Sequence, residues 1–217
     1  MADITMEKIK DLRERTGAGV VDCKKALGDT DGDVDKAVQE LQKRGIAKAA
    51  KKHGRIAAEG LIGNYVHAGG RIAVLVEINC ETDFVARGED FQQACEDVAM
   101  QIAAMNPRYV TGDDIPEADV ESQREIFTAQ VLEEGKPEKI VPKIVEGKLA
   151  KWKKEVSLVD QVFVKDSDKT IGELVTSLSA TTGEKITIRR FARFEVGEGL
   201  EKRVNDLAAE VAEMQKG

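Results

Sequence analysis

The chain has 217 residues, 41% hydrophobic and 34% charged, and 40 acidic against 33 basic side chains leave a formal charge of −7. That mixture excludes wholesale disorder and allows a real core, which must be built from Val, Ile, Leu and Ala because aromatics are only 4%. No apolar run approaches the roughly 20 residues a membrane span needs, and the opening MADITMEKIK mixes acids with its bases, unlike a signal peptide, so the expected location is cytoplasmic.

Residues 1–45 read as three short helices. Met6, Ile9 and Leu12 recur at helical spacing, and Thr16-Gly17-Ala18-Gly19 marks a tight turn. Val20, Cys23 and Leu27 form a second stripe, with Gly28 expected as its left-handed cap. Asp33 can cap a third helix carrying Val34, Ala37, Val38 and Leu41, and Gly45 is expected to end it. So small a bundle has a marginal core and is expected to lean on something else. Residues 43–55 hold six Lys and Arg and no acid. They read either as a solvated connector or as an electrostatic contact, and 46–55 is taken as a basic linker.

The period then changes to two. Strands on either side of Ala68-Gly69-Gly70 predict a hairpin, with Ile72, Val74, Val76 and Ile78 on one face and Ala73, Leu75 and Glu77 on the other. Residues 185–196 alternate as well, placing Ile186, Ile188, Arg190, Ala192, Phe194 and Val196 on a shared parity. Three strands in one antiparallel sheet follow.

Helices fill the rest. Asp90 and Gln93 resemble a capping box ahead of Phe91, Cys95, Val98 and Ile102, and Asn106-Pro107 stops that helix. Residues 117–134 are charged and weakly periodic. Pro142 should kink or restart the stripe Ile140, Val141, Ile144, Val145, Leu149 and Trp152. Thr170 and Glu173 form a capping box before Ile171, Leu174, Val175 and Leu178, and residues 200–214 read as a final helix. The fold class is α+β: an N-terminal three-helix domain, an α+β core over 56–196 with a small antiparallel sheet and flanking helices, and a helical module over 197–217.

The common catalytic patterns are missing. There is no G-x-x-x-x-G-K-[ST], no H-E-x-x-H and no G-x-S-x-G, and Gly17-Ala18-Gly19 lacks the third glycine of a dinucleotide loop. Cys23, Cys80 and Cys95 are irregularly spaced, and His53 stands apart from His67, so neither a disulfide scaffold nor a zinc site is expected. The balance favours binding over covalent chemistry, with no cofactor.

Asn79-Cys80-Glu81-Thr82-Asp83-Phe84-Val85-Ala86 stands out by its place after an apolar strand. Thr82 and Asp83 suit a helix start, which puts Phe84 at a strand-to-helix corner. The ring is either turned inward as a staple or exposed as an aromatic wedge of the kind that dominates interfaces. Periodicity does not choose between them.

These residues carry a resemblance. Arg13-Glu14-Arg15-Thr16-Gly17-Ala18-Gly19, Asp22-Cys23-Lys24-Lys25-Ala26-Leu27, the Asn79–Ala86 block, Gly135-Lys136-Pro137 and Phe194-Glu195-Val196-Gly197-Glu198-Gly199 resemble, in order, the bacterial elongation factor Ts family. The resemblance implies a guanine-nucleotide exchange factor that binds elongation factor Tu in its GDP form without covalent chemistry. Residues 1–45 would be a ubiquitin-associated-like domain docking on the partner's GTPase domain through Arg13 and the pair Val20 and Val21, where other members have methionines. Thr82, Asp83, Phe84 and Val85 would dislodge the partner's Mg²⁺, and His67 matches a further contact. The chain resembles the family's short forms, and a half-core with a bare apolar sheet face implies a homodimer. The alternative is a ubiquitin-associated-like adaptor that binds peptides or proteins without exchange activity. Direct nucleic-acid binding is not expected, given the net charge and the few aromatics for stacking.

Overall fold

The computed structural model describes residues 4–16, 18–50, 52 and 54–200. Helices α1 (Met6–Thr16), α2 (Val20–Asp29) and α3 (Val34–Ala50) form the predicted bundle around Ile9, Leu12, Cys23, Ala26, Leu27 and Ala37. Val20 lies outside that stripe. The α2 cap also falls later than Gly28. Asp31 and Gly32 take the positive φ angles, 53° and 79°, and Gly32 N–H donates to the Leu27 carbonyl at 2.8 Å. Asp33 caps α3 as expected, its Oδ1 accepting from Lys36 N–H at 3.0 Å.

Gly45 does not end α3, which runs on to Ala50 through the first half of the predicted linker. The reason is tertiary. Gly45 is buried against α8 (Ile171–Thr182), where an added Cβ would lie 3.4 Å from Ala180 Cβ. Just beyond, Lys52 Nζ donates to the Ser179 carbonyl at 2.8 Å. The small bundle thus leans on the core through α3, and close helix approach offsets the propensity cost of a mid-helix glycine.

The sheet runs in the order β1 (Glu59–Val66), β2 (Ile72–Cys80), β5 (Thr187–Glu195), antiparallel throughout. Val74, Val76, Ile78 and Cys80 of central β2 are buried beneath α5 (Glu89–Met105), in one core with Ile171 and Leu178 of α8. Helix α5 crosses β1 so closely that a Cβ on Gly63 would stand 2.7 Å from the Cys95 carbonyl oxygen, a position only glycine fills.

The uniform parity predicted for residues 185–196 is broken. Ile78 pairs with Ile188 but Glu77 pairs with Arg190, so Arg189 is the extra residue of a bulge. Ile186 and Ile188 face the core before it. Afterwards Phe191 packs inward, while Phe194 and Val196 are exposed on the opposite face. The bulge lets two arginines reach one carboxylate: Arg189 Nη1 and Arg190 Nε each donate to Glu77 at 2.7 Å. Those two pairings, Arg189 foremost, hold the Glu77 carboxyl down to about 2.

Helix α5 starts without the predicted capping box. Its cap is Gly88, which has no side chain to offer, and Gln93 instead donates to Asp97 Oδ1 at 3.0 Å. Asn106 (φ 46°) ends it as expected. Helices α6 (Glu117–Glu133) and α7 (Val141–Val156) share a core of Val120, Val131, Val141, Val145 and Leu149, and α7 restarts at Pro142 in its first turn, where the missing N–H costs nothing. The capping box of α8 is present: Thr170 Oγ1 accepts from Glu173 N–H (3.2 Å) and Glu173 Oε2 from Thr170 N–H (2.8 Å). A second hairpin, β3 (Val162–Phe163) with β4 (Asp166–Thr170), was not predicted. Buried Gln101 of α5 holds its turn, donating to the Val162 carbonyl (3.1 Å) and accepting from Val164 N–H (2.9 Å). Beyond Leu200, the helix expected over 200–214 lies outside the described residues.

Candidate functional site

The corner is built where β2 hands over to α4 (Asp83–Ala86), a helix of a single turn. Thr82 is its cap, extended at φ −129° and ψ 154°, with Oγ1 accepting from Val85 N–H at 3.4 Å. Val85 packs against the core and Ala86 is buried. Successive helical residues point about 100° apart, so turning Val85 and Ala86 inward drives Phe84 outward. The ring is 84% exposed, which removes the staple reading. Asp83 pairs with Arg87 at 2.8 Å, both well solvated, a contact worth little by itself.

A turn so short does not stabilise itself. Its neighbours hold it. The Cys80 thiol, its pKa raised by burial, donates to the Thr82 carbonyl at 3.1 Å. The Glu184 carboxylate accepts from Glu81 N–H (2.9 Å), Thr82 N–H (3.0 Å) and Thr82 Oγ1–H (2.6 Å). In return the Glu81 carboxylate accepts from Lys185 N–H at 2.6 Å and Arg55 Nη1 at 3.2 Å, and the Lys185 N–H, then Arg55, hold it below the usual carboxylate range. Sequence spacing pointed to neither Glu184 nor Lys185. Gly183, at φ 78° after α8, marks a turn there but not its destination.

The other predicted contact residues are exposed but scattered. Arg13 lies on the open side of α1, and Val20 (47% exposed) and Val21 (81%) stand at the start of α2. His67 is exposed just past β1, its Nδ1 sharing a 3.1 Å hydrogen bond with Tyr65 OH. It sits at the hairpin end of the sheet, whereas Phe84 follows the far end of β2. At the usual rise per strand residue that is about 25 Å away. The structure therefore does not gather these residues into a pocket. They lie at separate places on the surface.

Among the described residues no group of three or more His, Cys, Asp or Glu is placed to hold a metal ion, and no helix is long and apolar enough to cross a membrane. Residues 24–198 match the protein family described as Elongation factor TS. The chain is 57% identical over 212 residues to Elongation factor Ts of Desulforamulus reducens, covering 98% of each. It is 56% identical to that of Syntrophomonas wolfei (98% of this chain, 100% of the relative) and 52% identical to that of Myxococcus xanthus (98% and 97%).

Proposed function

The chain belongs to the elongation factor Ts family of translation elongation factors, and from that premise we propose that it is a guanine-nucleotide exchange factor. It binds elongation factor Tu in its GDP form in the cytoplasm, promotes GDP release by disturbing the Mg²⁺/phosphate site, and so allows GTP to rebind. The observation that carries this reading is the 84% exposed Phe84 ring on a corner fixed by Glu184 and Glu81.

The physics needs no covalent step. A nucleotide's phosphates are held by Mg²⁺ and backbone donors, so much of its affinity is an electrostatic clamp sensitive to position. Burying the Phe84 ring only when the partner has relaxed its clamp favours that state by ~2 kcal/mol, about thirtyfold in the equilibrium. The coupling is reciprocal: what binding this chain removes from GDP affinity, GDP removes from the affinity for this chain. Thr82 and Val85 fix the ring's direction, and Asp83 stands beside it toward the partner. Arg13, Val20 and Val21 on the bundle (residues 1–45) dock on the GTPase domain, and His67 supplies a separate contact from the hairpin end. No nucleic-acid contact is required.

The chain also acts as a homodimer in this reading. Ile62, Val66, Leu75, Phe194 and Val196 are exposed on the sheet face opposite α5, and a second copy would cover them. Light scattering behind size exclusion at micromolar concentration is expected to give a dimer; a clean monomer would remove this part. Release of a fluorescent GDP from elongation factor Tu tests the main reading. Strong acceleration by the chain is expected, and a release rate unchanged at saturating chain would contradict it.

A further inference from the structure

Phe84 has almost no contacts of its own, and α4 is too short to hold a direction unaided. The ring's aim must be set from outside the turn. Both backbone N–H groups of residues 81 and 82 and the Thr82 hydroxyl are held by one distant side chain, Glu184, whose own backbone is anchored. Glu184 follows the α8 cap Gly183. Its carbonyl accepts from the buried Ser179 hydroxyl at 2.5 Å, and its N–H donates to Thr182 Oγ1 at 3.4 Å. From that fixed backbone the carboxylate reaches two successive backbone N–H groups and a hydroxyl at the corner.

We propose that Glu184 is a positioning residue for exchange: its carboxylate fixes Glu81 and Thr82 so that α4 begins at Asp83 and the Phe84 ring is presented ready to insert. The inference rests on the exchange reading above. Without the carboxylate, two backbone donors and one hydroxyl turn to water, the single turn frays, and the ring must be ordered during docking. That ordering cost falls on the step in which the ring inserts and not on the first encounter, which uses Arg13, Val20 and Val21.

The test is a cycle of Glu184→Ala, Glu184→Gln, Phe84→Ala and the Glu184→Ala/Phe84→Ala double variant. Fluorescent GDP release from elongation factor Tu is followed against variant concentration, at temperatures where circular dichroism shows each variant folded. Losing three hydrogen bonds to one charged group should slow Glu184→Ala about tenfold at saturation, while its half-saturating concentration shifts less than about twofold. Glu184→Gln keeps an acceptor for the two backbone N–H groups and can donate to Thr82 Oγ1, so it should stay within about twofold of wild type. The double variant should be no slower than Phe84→Ala alone, because Glu184 acts only through the ring. Should the alanine chain not fold, Glu184→Asp, whose charge is retracted by one methylene, serves in the same cycle with a smaller slowing that again disappears beside Phe84→Ala. A Glu184→Ala chain as fast as wild type, or one that slows the Phe84→Ala background by the same factor, would overturn the positioning role. If Phe84→Ala itself exchanges at the wild-type rate, the wedge fails and this inference falls with it, a pattern distinct from either of the others.

Discussion

Phe84 is 84% exposed, and Phe91, in the first turn of the next helix, is 1% exposed. The two rings are chemically the same and share one short stretch of chain, so the difference lies in what each backbone turn has beneath it. Helix α5 lies along the sheet and buries Phe91 with Ala94, Cys95, Val98, Ala99 and Ile102. Helix α4 has one turn, whose inner side is already taken by Val85 and Ala86. Leaving a phenylalanine in water forgoes about 2 kcal/mol of burial, which the fold then has no need of and a partner can recover. Under the proposed exchange role, the contrast separates stability from binding within a few residues.

The largest expected effect falls on the inner ring. Phe91→Ala should lower unfolding free energy by about 3–5 kcal/mol in urea titration, and a loss under about 1 kcal/mol would mean that α5 is not the core helix it is taken to be. The same inside-outside contrast recurs across the sheet, where Val74 and Val76 are sealed but Leu75 between them is half exposed. Leu75→Lys should therefore convert the proposed dimer to a monomer in light scattering without unfolding it. A dimer that survives the charge would place the interface elsewhere.

A smaller effect tests the bulge. Glu77 is held from an ordinary 4.5 down to about 2 by Arg189 and Arg190. Because the folded pKa is depressed, this stabilisation is fully present above about 4.5 and is lost as pH falls through about 2. The urea midpoint of the wild type should fall more steeply over that window than that of Glu77→Gln, and parallel curves would show that the pairing contributes nothing. Phe84→Ala, by contrast, should leave stability within about 0.5 kcal/mol of wild type, as befits a surface position.

What the sequence made legible was local. The bundle, the hairpin about Gly69-Gly70, the Asn106 stop and the Thr170/Glu173 box are each decided by residues within a few positions of one another. What it missed depends on distant partners. Gly45 continues a helix because Ala180 lies against it, Arg189 bulges where two arginines meet Glu77, and the polar strand β4 is held by a two-residue neighbour on Gln101. At the site, the sequence located the corner but could not orient Phe84, since a single helical turn is too short for periodicity to show an inner face. Glu184 was invisible for the same reason as the bulge: nothing nearby in the chain records what its carboxylate reaches.

The part played by the Phe84 ring is read from the rate of fluorescent GDP release from elongation factor Tu with saturating wild-type chain and with saturating Phe84→Ala, both shown folded by thermal melting. The wild type should accelerate release strongly, and the alanine chain should lose at least about tenfold of that acceleration, the scale of one well-buried ring. Equal acceleration by the two chains would contradict it.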